Sequence, residues 1–235
     1  MMNTRRVAGF GLCVAAMAVS GLVALRAYAH EGHEHADARK PANVMGHEGA
    51  PWLERPERIK EEMPDEVVAA MNLKDGDVVA DVGCGSGFFT RRLAKAVGPT
   101  GKVYAVDIQP EMLEILQANC EKDGITNVIP VLGTENDPKL PKGEIDWILL
   151  VDTYHEFQDP AAMLATMHTA LGADGKVALI EYRLLGETAK HIQESHRMSV
   201  KQVLLEWHPE GYELIDLLDF LPSQHYFIFK KLVKK

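Results

Sequence analysis

What the chain has little of narrows the reading first. Its 235 residues carry 25 Lys and Arg against 34 Asp and Glu, a formal net charge of −9, and no basic stripe runs along any segment. A surface that neutralises nucleic-acid phosphates needs such a stripe, so nucleic acid is not expected as a partner. No internal repeat is visible, and the length suits one α/β domain preceded by a leader. Cysteine is scarce: Cys13, Cys84 and Cys120 are all there are. Cys84 falls in a glycine-rich loop and Cys120 on an expected helix, so the two are expected to stay unpaired, although an oxidising compartment would permit a bridge.

Long uncharged runs are also rare, and the one at the start has a recognisable layout. Arg5 and Arg6 precede 19 uncharged residues, 7–25, and Ala27-Tyr28-Ala29 closes the segment. Basic, then apolar, then A-x-A is the order of a secretory signal peptide, which predicts cleavage after Ala29 and a periplasmic or secreted mature chain. The arginine pair followed by Phe10 loosely resembles a twin-arginine leader, so the export route stays open. An uncleaved membrane anchor is the alternative, because such a run could just span a bilayer. Residues 30–50, with His30, His33, His35 and His47, lack apolar periodicity and read as a flexible His-rich segment. Imidazoles there could take up a transition metal, without a fixed geometry. The domain proper is expected over 51–235, opening on a Trp52-containing stretch that could serve as a lid.

The stretch around which the rest is arranged is VVADVGCGSGFFT, residues 78–90. Val78 to Val82 is apolar and β-branched apart from Asp81, as a buried parallel strand should be. Gly83, Gly85 and Gly87 then alternate with Cys84 and Ser86, and Phe88, Phe89, Leu93 and Val97 recur at helical spacing. Strand, glycine loop and helix together let a ligand approach the backbone closely. A dinucleotide site would need G-x-G-x-x-G, and Phe88 stands where its third glycine belongs, which disfavours a nicotinamide-dependent dehydrogenase.

Further strands are expected at 102–106 (ending in Asp107), 127–132, 146–151 and 177–182, with helices at 65–73, 88–97, 111–122 and through Met163, Leu164, Met167 and Leu171. A last helix at 199–206 is followed by strands at 212–218 and 225–229. Alternation of strand and helix gives an α/β fold with a mostly parallel, doubly wound sheet. In such sheets ligands bind outside the carboxyl ends of the strands. Asp107 stands at one such end, 20 residues past Gly87. Asp152, His155 and Glu156 stand at another, where His155 could act as a general base and the two acids could orient it or the acceptor, or where all three could merely cap the next helix.

The pattern D-x-G-x-G-x-G from Asp81 to Gly87, with Asp107 beyond it and ALGADGKVALIEYR later, resembles the class I S-adenosylmethionine-dependent methyltransferases. The resemblance covers about 52–229. It implies a Rossmann-like, seven-stranded sheet ending in an antiparallel hairpin, and S-adenosyl-L-methionine as cofactor with no metal needed to bind it. By position it implies cofactor contacts from Asp81, Gly83, Gly85, Ser86, Gly87, Asp107, Ile108, Thr134, Glu135 and Asp152, with Asp107 on the ribose and Thr134, Glu135 or Asn136 near the adenine. Catalysis would fall to His155, Asp152 and Glu156. The partner is a small-molecule methyl acceptor, and contact with a membrane is expected only through an uncleaved leader. A non-catalytic, exported binding module that keeps the same fold is the second reading.

Overall fold

The computed structural model describes residues 39–232. The expected leader and its cleavage site, together with His30, His33 and His35, lie outside the described residues. Eight strands form one sheet: β1 (Val78–Val82), β2 (Lys102–Asp107), β3 (Val128–Leu132), β4 (Ile145–Val151), β5 (Leu171–Arg183), β6 (Arg197–Met198), β7 (Tyr212–Leu218) and β8 (Gln224–Lys231). Their order is β3-β2-β1-β4-β5-β8-β7, with the two-residue β6 alongside β5. The first five pair in parallel, and β8 runs antiparallel to both β5 and β7. This is the expected α/β, mostly parallel sheet with its C-terminal hairpin; β6 is the one strand the sequence reading lacks.

The helices are α1 (Ala50–Leu53), α2 (Arg58–Glu62), α3 (Pro64–Ala70), α4 (Thr90–Ala96), α5 (Pro110–Lys122), α6 (Pro160–Ala170) and α7 (Val200–Trp207). Spacing explains which faces they bury. In α5 the buried residues are Met112, Leu113, Leu116 and Cys120, and in α6 Met163, Leu164, Met167 and Ala170, each set one turn apart. Caps fix two of the starts: Asp159 accepts from the amide of Ala162 at 3.0 Å and Ser199 from that of Gln202 at 3.1 Å. Two large apolar clusters result, one on each face of the sheet, with a smaller third around Ala105, Leu113 and Leu116. Tyr154, Leu164, Trp207, Tyr212 and Phe229 lie in one; Val67, Phe88, Leu93, Trp147 and Tyr226 lie in the other. Strand β5 starts six residues earlier than its apolar run suggests, because Leu171 pairs with Ile145 before a register shift brings Lys176 opposite Trp147. Among the described residues no helix is long and apolar enough to cross a membrane.

One expectation is corrected here. Residues 39–50 belong to the packed domain instead of to a flexible tail. Arg39 pairs with Glu206 at 3.1 Å and donates to the carbonyls of His155 (2.7 Å) and Tyr154 (2.9 Å). The amide of Ala42 donates to the carbonyl of His155, and Met45 and His47 are both tied to the side chain of Gln109. These bonds are polar and long-range, so apolar periodicity carries no trace of them.

Candidate active site

The carboxyl ends of β1, β2, β4 and β5 open into one cavity of about 500 Å³, within the ~300–1,000 Å³ of small-molecule sites. Asp81, Gly83, Gly85, Asp107, Ile108, Thr134, Glu135, Asp152, His155 and Glu156 all contribute to its wall. Asp81 and Asp107 therefore share a cleft, as the sequence pattern requires.

The glycine bend owes its shape to its neighbours. Gly83 has φ +78°, and a Cβ there would lie 2.2 Å from Thr153 Oγ1 on the β4 loop. Gly87, with φ +85°, would place a Cβ 2.4 Å from Leu116 on α5. Gly87 thus serves helix packing behind the bend and does not line the cavity. Ser86 does not line it either: its hydroxyl donates to Glu54 at 2.7 Å, and Glu54 in turn pairs with Arg91. Of the contacts the resemblance implies, these two support the bend from behind, Ser86 through Glu54 and Gly87 through Leu116. Leu53 and the 45 % exposed Trp52 close over the bend from α1, at the rim where a lid is expected.

Asp107 is held at both oxygens. Oδ2 accepts the amide of Gly85 at 2.9 Å and Oδ1 that of Gln109 at 3.0 Å. A carboxylate has about four lone-pair positions, so two remain for a ligand's hydroxyls. Asp107 thus shapes the turn into α5 while lining the cavity. Asp81, 3 % exposed, accepts the hydroxyl of Thr90 at 2.6 Å. Burial is the main cause of its pKa rising to about 6; the Thr90 bond and Arg58 oppose the rise and Asp107 adds to it. Burial raises the pKa of Asp107 as well. Of the loop after β3, Thr134 and Glu135 reach the wall, whereas Asp137 holds Lys139 at 2.7 Å and is a solvated turn.

The β4 loop is arranged differently from expectation. Asp152 has φ +49°, a left-handed conformation uncommon outside glycine, and its Oδ2 accepts from Gln224 at 2.8 Å. Its Oδ1 is buried without a partner. Burial, then the charges of Glu62 and Glu181, push its pKa well up. Glu156 accepts from the amide of Met45 at 3.3 Å, and burial lifts it to about 7. Neither acid orients His155. Glu181 does, with Oε2 2.6 Å from His155 Nδ1 and no exposure at all. Burial works against an imidazolium here, but the charge and hydrogen bond of Glu181 outweigh it and hold the pKa of His155 above its ordinary value. Helix capping falls to Asp159, which leaves Asp152, His155 and Glu156 to the cavity.

Several wall residues escaped sequence reasoning. Arg58 and Glu62, 6 % and 2 % exposed, form an ion pair at 2.6 Å, and the guanidinium sits 4.4 Å from the Phe88 ring centroid. Glu62 Oε2 has no partner. In sequence the pair reads as one more i,i+4 contact on a solvated helix. Tyr182 and Glu181 end the strand of the quoted ALGADGKVALIEYR segment, so their place at a strand terminus was a usable signal. His196 had none: its ring meets that of His155 at 4.9 Å only because the chain returns past β5.

Comparison with known proteins agrees with this geometry. A family described as "Methyltransferase domain" matches residues 73–218. A demethylmenaquinone methyltransferase of Geobacillus sp. is 27 % identical over 117 residues, half of each chain. A ubiquinone/menaquinone biosynthesis C-methyltransferase of Burkholderia vietnamiensis is 27 % identical over 133 residues, 57 % of this chain and 54 % of that protein. The chain thus spans about half the length of the curated relatives it matches. Among solved structures, a SAM-dependent methyltransferase from Aquifex aeolicus superposes with a TM-score of 0.75 at 27 % identity, covering 81 % of this chain and all of the other. With its glycine bend, paired acids and strand order, the chain belongs to the methyltransferase-domain family and has the class I fold of the S-adenosylmethionine-dependent enzymes.

Proposed function

We propose that this protein transfers the methyl group of S-adenosylmethionine to a small-molecule acceptor bound at the end of the cavity bounded by His155, Tyr182 and His196. One observation carries the reading: Glu62, Asp81, Asp107, Asp152 and Glu156, all at least partly buried, line a single cavity whose only Lys or Arg among the described residues is Arg58. An acid-lined cleft focuses a negative field and favours a cation. S-adenosylmethionine brings an ammonium and a sulfonium, and the sulfonium supplies an activated methyl group. The unpartnered Glu62 Oε2 and Asp152 Oδ1 suit the ammonium, and the spare lone pairs of Asp107 suit ribose hydroxyls.

The chain's own residues then have three tasks. Gly83 and Gly85 admit the ligand to the backbone, and residues 39–53 roof the site and exclude water, which favours discharge of a buried positive charge. Holding donor and acceptor at near-attack distance supplies most of the acceleration. His155, its Nδ1 engaged by Glu181, presents Nε2 to take a proton from an O–H or S–H acceptor. Relatives named for demethylmenaquinone and for ubiquinone/menaquinone biosynthesis support a small molecule as acceptor. Export to the periplasm, or anchoring by the leader, belongs to the same proposal, and fractionation of cells followed by N-terminal sequencing tests it.

The test of activity is label transfer from methyl-labelled S-adenosylmethionine to a panel of phenols, quinols and thiols. His155→Gln should lower turnover roughly 100-fold or more while the affinity for the cofactor stays about the same. Cofactor binding without transfer to any acceptor class would favour the binding-module reading.

A further inference from the structure

The acceptor end of the cavity holds a grouping that positioning alone does not use. His155, Glu156 and His196 each offer one ligand-capable atom, and these atoms lie within 4.8 Å of one another. They come from two 3-10 turns, Tyr154–Glu156 after β4 and Glu194–His196 before β6, which meet only in the folded chain. His155 is 2 % exposed, and the fully buried Glu181 occupies its Nδ1, leaving Nε2 for another partner. A carboxylate bonded to one imidazole nitrogen fixes the ring and makes the other a better donor, which is how metal-binding histidines are supported. Ser195 Oγ lies 3.1 Å from His196 Nδ1, and Glu156 spends only Oε1 on the Met45 amide. Two imidazoles and a carboxylate form the donor set of catalytic zinc and non-haem iron centres, in which three protein ligands leave a coordination position open. All three side chains line the cavity, so that position opens onto it.

We propose that His155, Glu156 and His196 bind a divalent transition metal of the zinc or iron(II) class, with Glu181 holding His155 from behind. The inference rests on the reading of this end as the acceptor's place. Occupied, the site would bind an acceptor's oxygen or sulfur directly, with the displaced proton leaving to solvent, in place of proton transfer to the imidazole.

The test titrates zinc and cobalt(II) into the full chain, read by calorimetry and by the visible absorption of bound cobalt. His196→Gln, Glu181→Gln and the triple variant His30→Ala, His33→Ala, His35→Ala are run beside it. The native chain and the triple variant should bind one equivalent; His196→Gln should weaken binding at least about tenfold and Glu181→Gln about 10–100-fold. Half-buried His196 makes its variant the one expected to fold without difficulty. No metal uptake by the native chain, equal affinity in His196→Gln, or uptake lost only in the triple variant would each overturn the site. S-adenosylmethionine is titrated into the same samples. Cofactor binding without metal uptake removes the metal site alone, whereas absent cofactor binding removes the functional reading itself.

Discussion

Asp81→Asn should make the protein without ligand more stable and bind its cofactor worse, and the two effects can be measured on one sample. In the folded chain Asp81 titrates at about 6 in place of its ordinary 3.8, chiefly because it is buried. An acid whose folded pKa is raised holds a proton that the unfolded chain has already lost. Its contribution to stability is therefore fully present below about pH 4 and is lost as the pH rises through about 6. At 1.36 kcal/mol per unit, burying the charge costs about 3 kcal/mol at neutral or higher pH. Asparagine keeps an acceptor for the Thr90 hydroxyl and carries no charge. Urea unfolding at about pH 8 should then show the variant more stable by up to about 3 kcal/mol, with the difference shrinking towards zero near pH 4. Affinity for S-adenosylmethionine should fall roughly 10-fold to 150-fold, the equivalent of one charged hydrogen bond of about 1.5–3 kcal/mol. A variant that is less stable at the higher pH, or whose stability difference ignores pH, would refute the assignment of the shift to burial of a carboxylate. Unchanged affinity would refute its share in the acid lining that is proposed to hold the ligand's cation.

Other expectations follow from single contacts. Gly83→Ala puts a Cβ into Thr153 and a side chain on a positive φ, so denaturant midpoints should report a loss on the order of 2–3 kcal/mol. Arg39→Met removes one charged donor from three backbone carbonyls and from Glu206; limited proteolysis should then cut within 39–49, where the native chain resists. Trp147 and Trp207 are buried and Trp52 is not, so any emission shift on adding cofactor should come from Trp52 and vanish in Trp52→Phe.

How far the sequence could be read depended on the range of the interaction. Strands β1 to β4 and helices α5 to α7 were legible because their apolar periodicity, caps and turns are local. The bend 83–87 and Asp107 were legible because positive φ and close neighbours leave room only for glycine, and because Asp107 ends its strand at a readable spacing. Distant partners were not. Arg39 and Glu206, His155 and His196, and Asp152 and Gln224 meet across long stretches of chain, and each residue alone looks like surface or helix cap. Glu181 was halfway visible: its strand terminus was clear, but nothing local says that His155 lies opposite. Ser86 and Gly87 show the converse: a motif read as a block hides that Ser86 is held by Glu54 and Gly87 by the packing of α5.

The central claim is that Asp107, fixed by the amides of Gly85 and Gln109, accepts a ribose within an acid-lined cavity. Calorimetric titration of S-adenosylmethionine into the folded protein, and into Asp107→Ala, tests it most directly. The account predicts saturable binding at one site by the native chain and a loss of roughly 100-fold or more in the variant, as expected when two hydrogen bonds to a carboxylate go. A native chain that folds and binds nothing, or a variant that binds as well as the native chain, would contradict it.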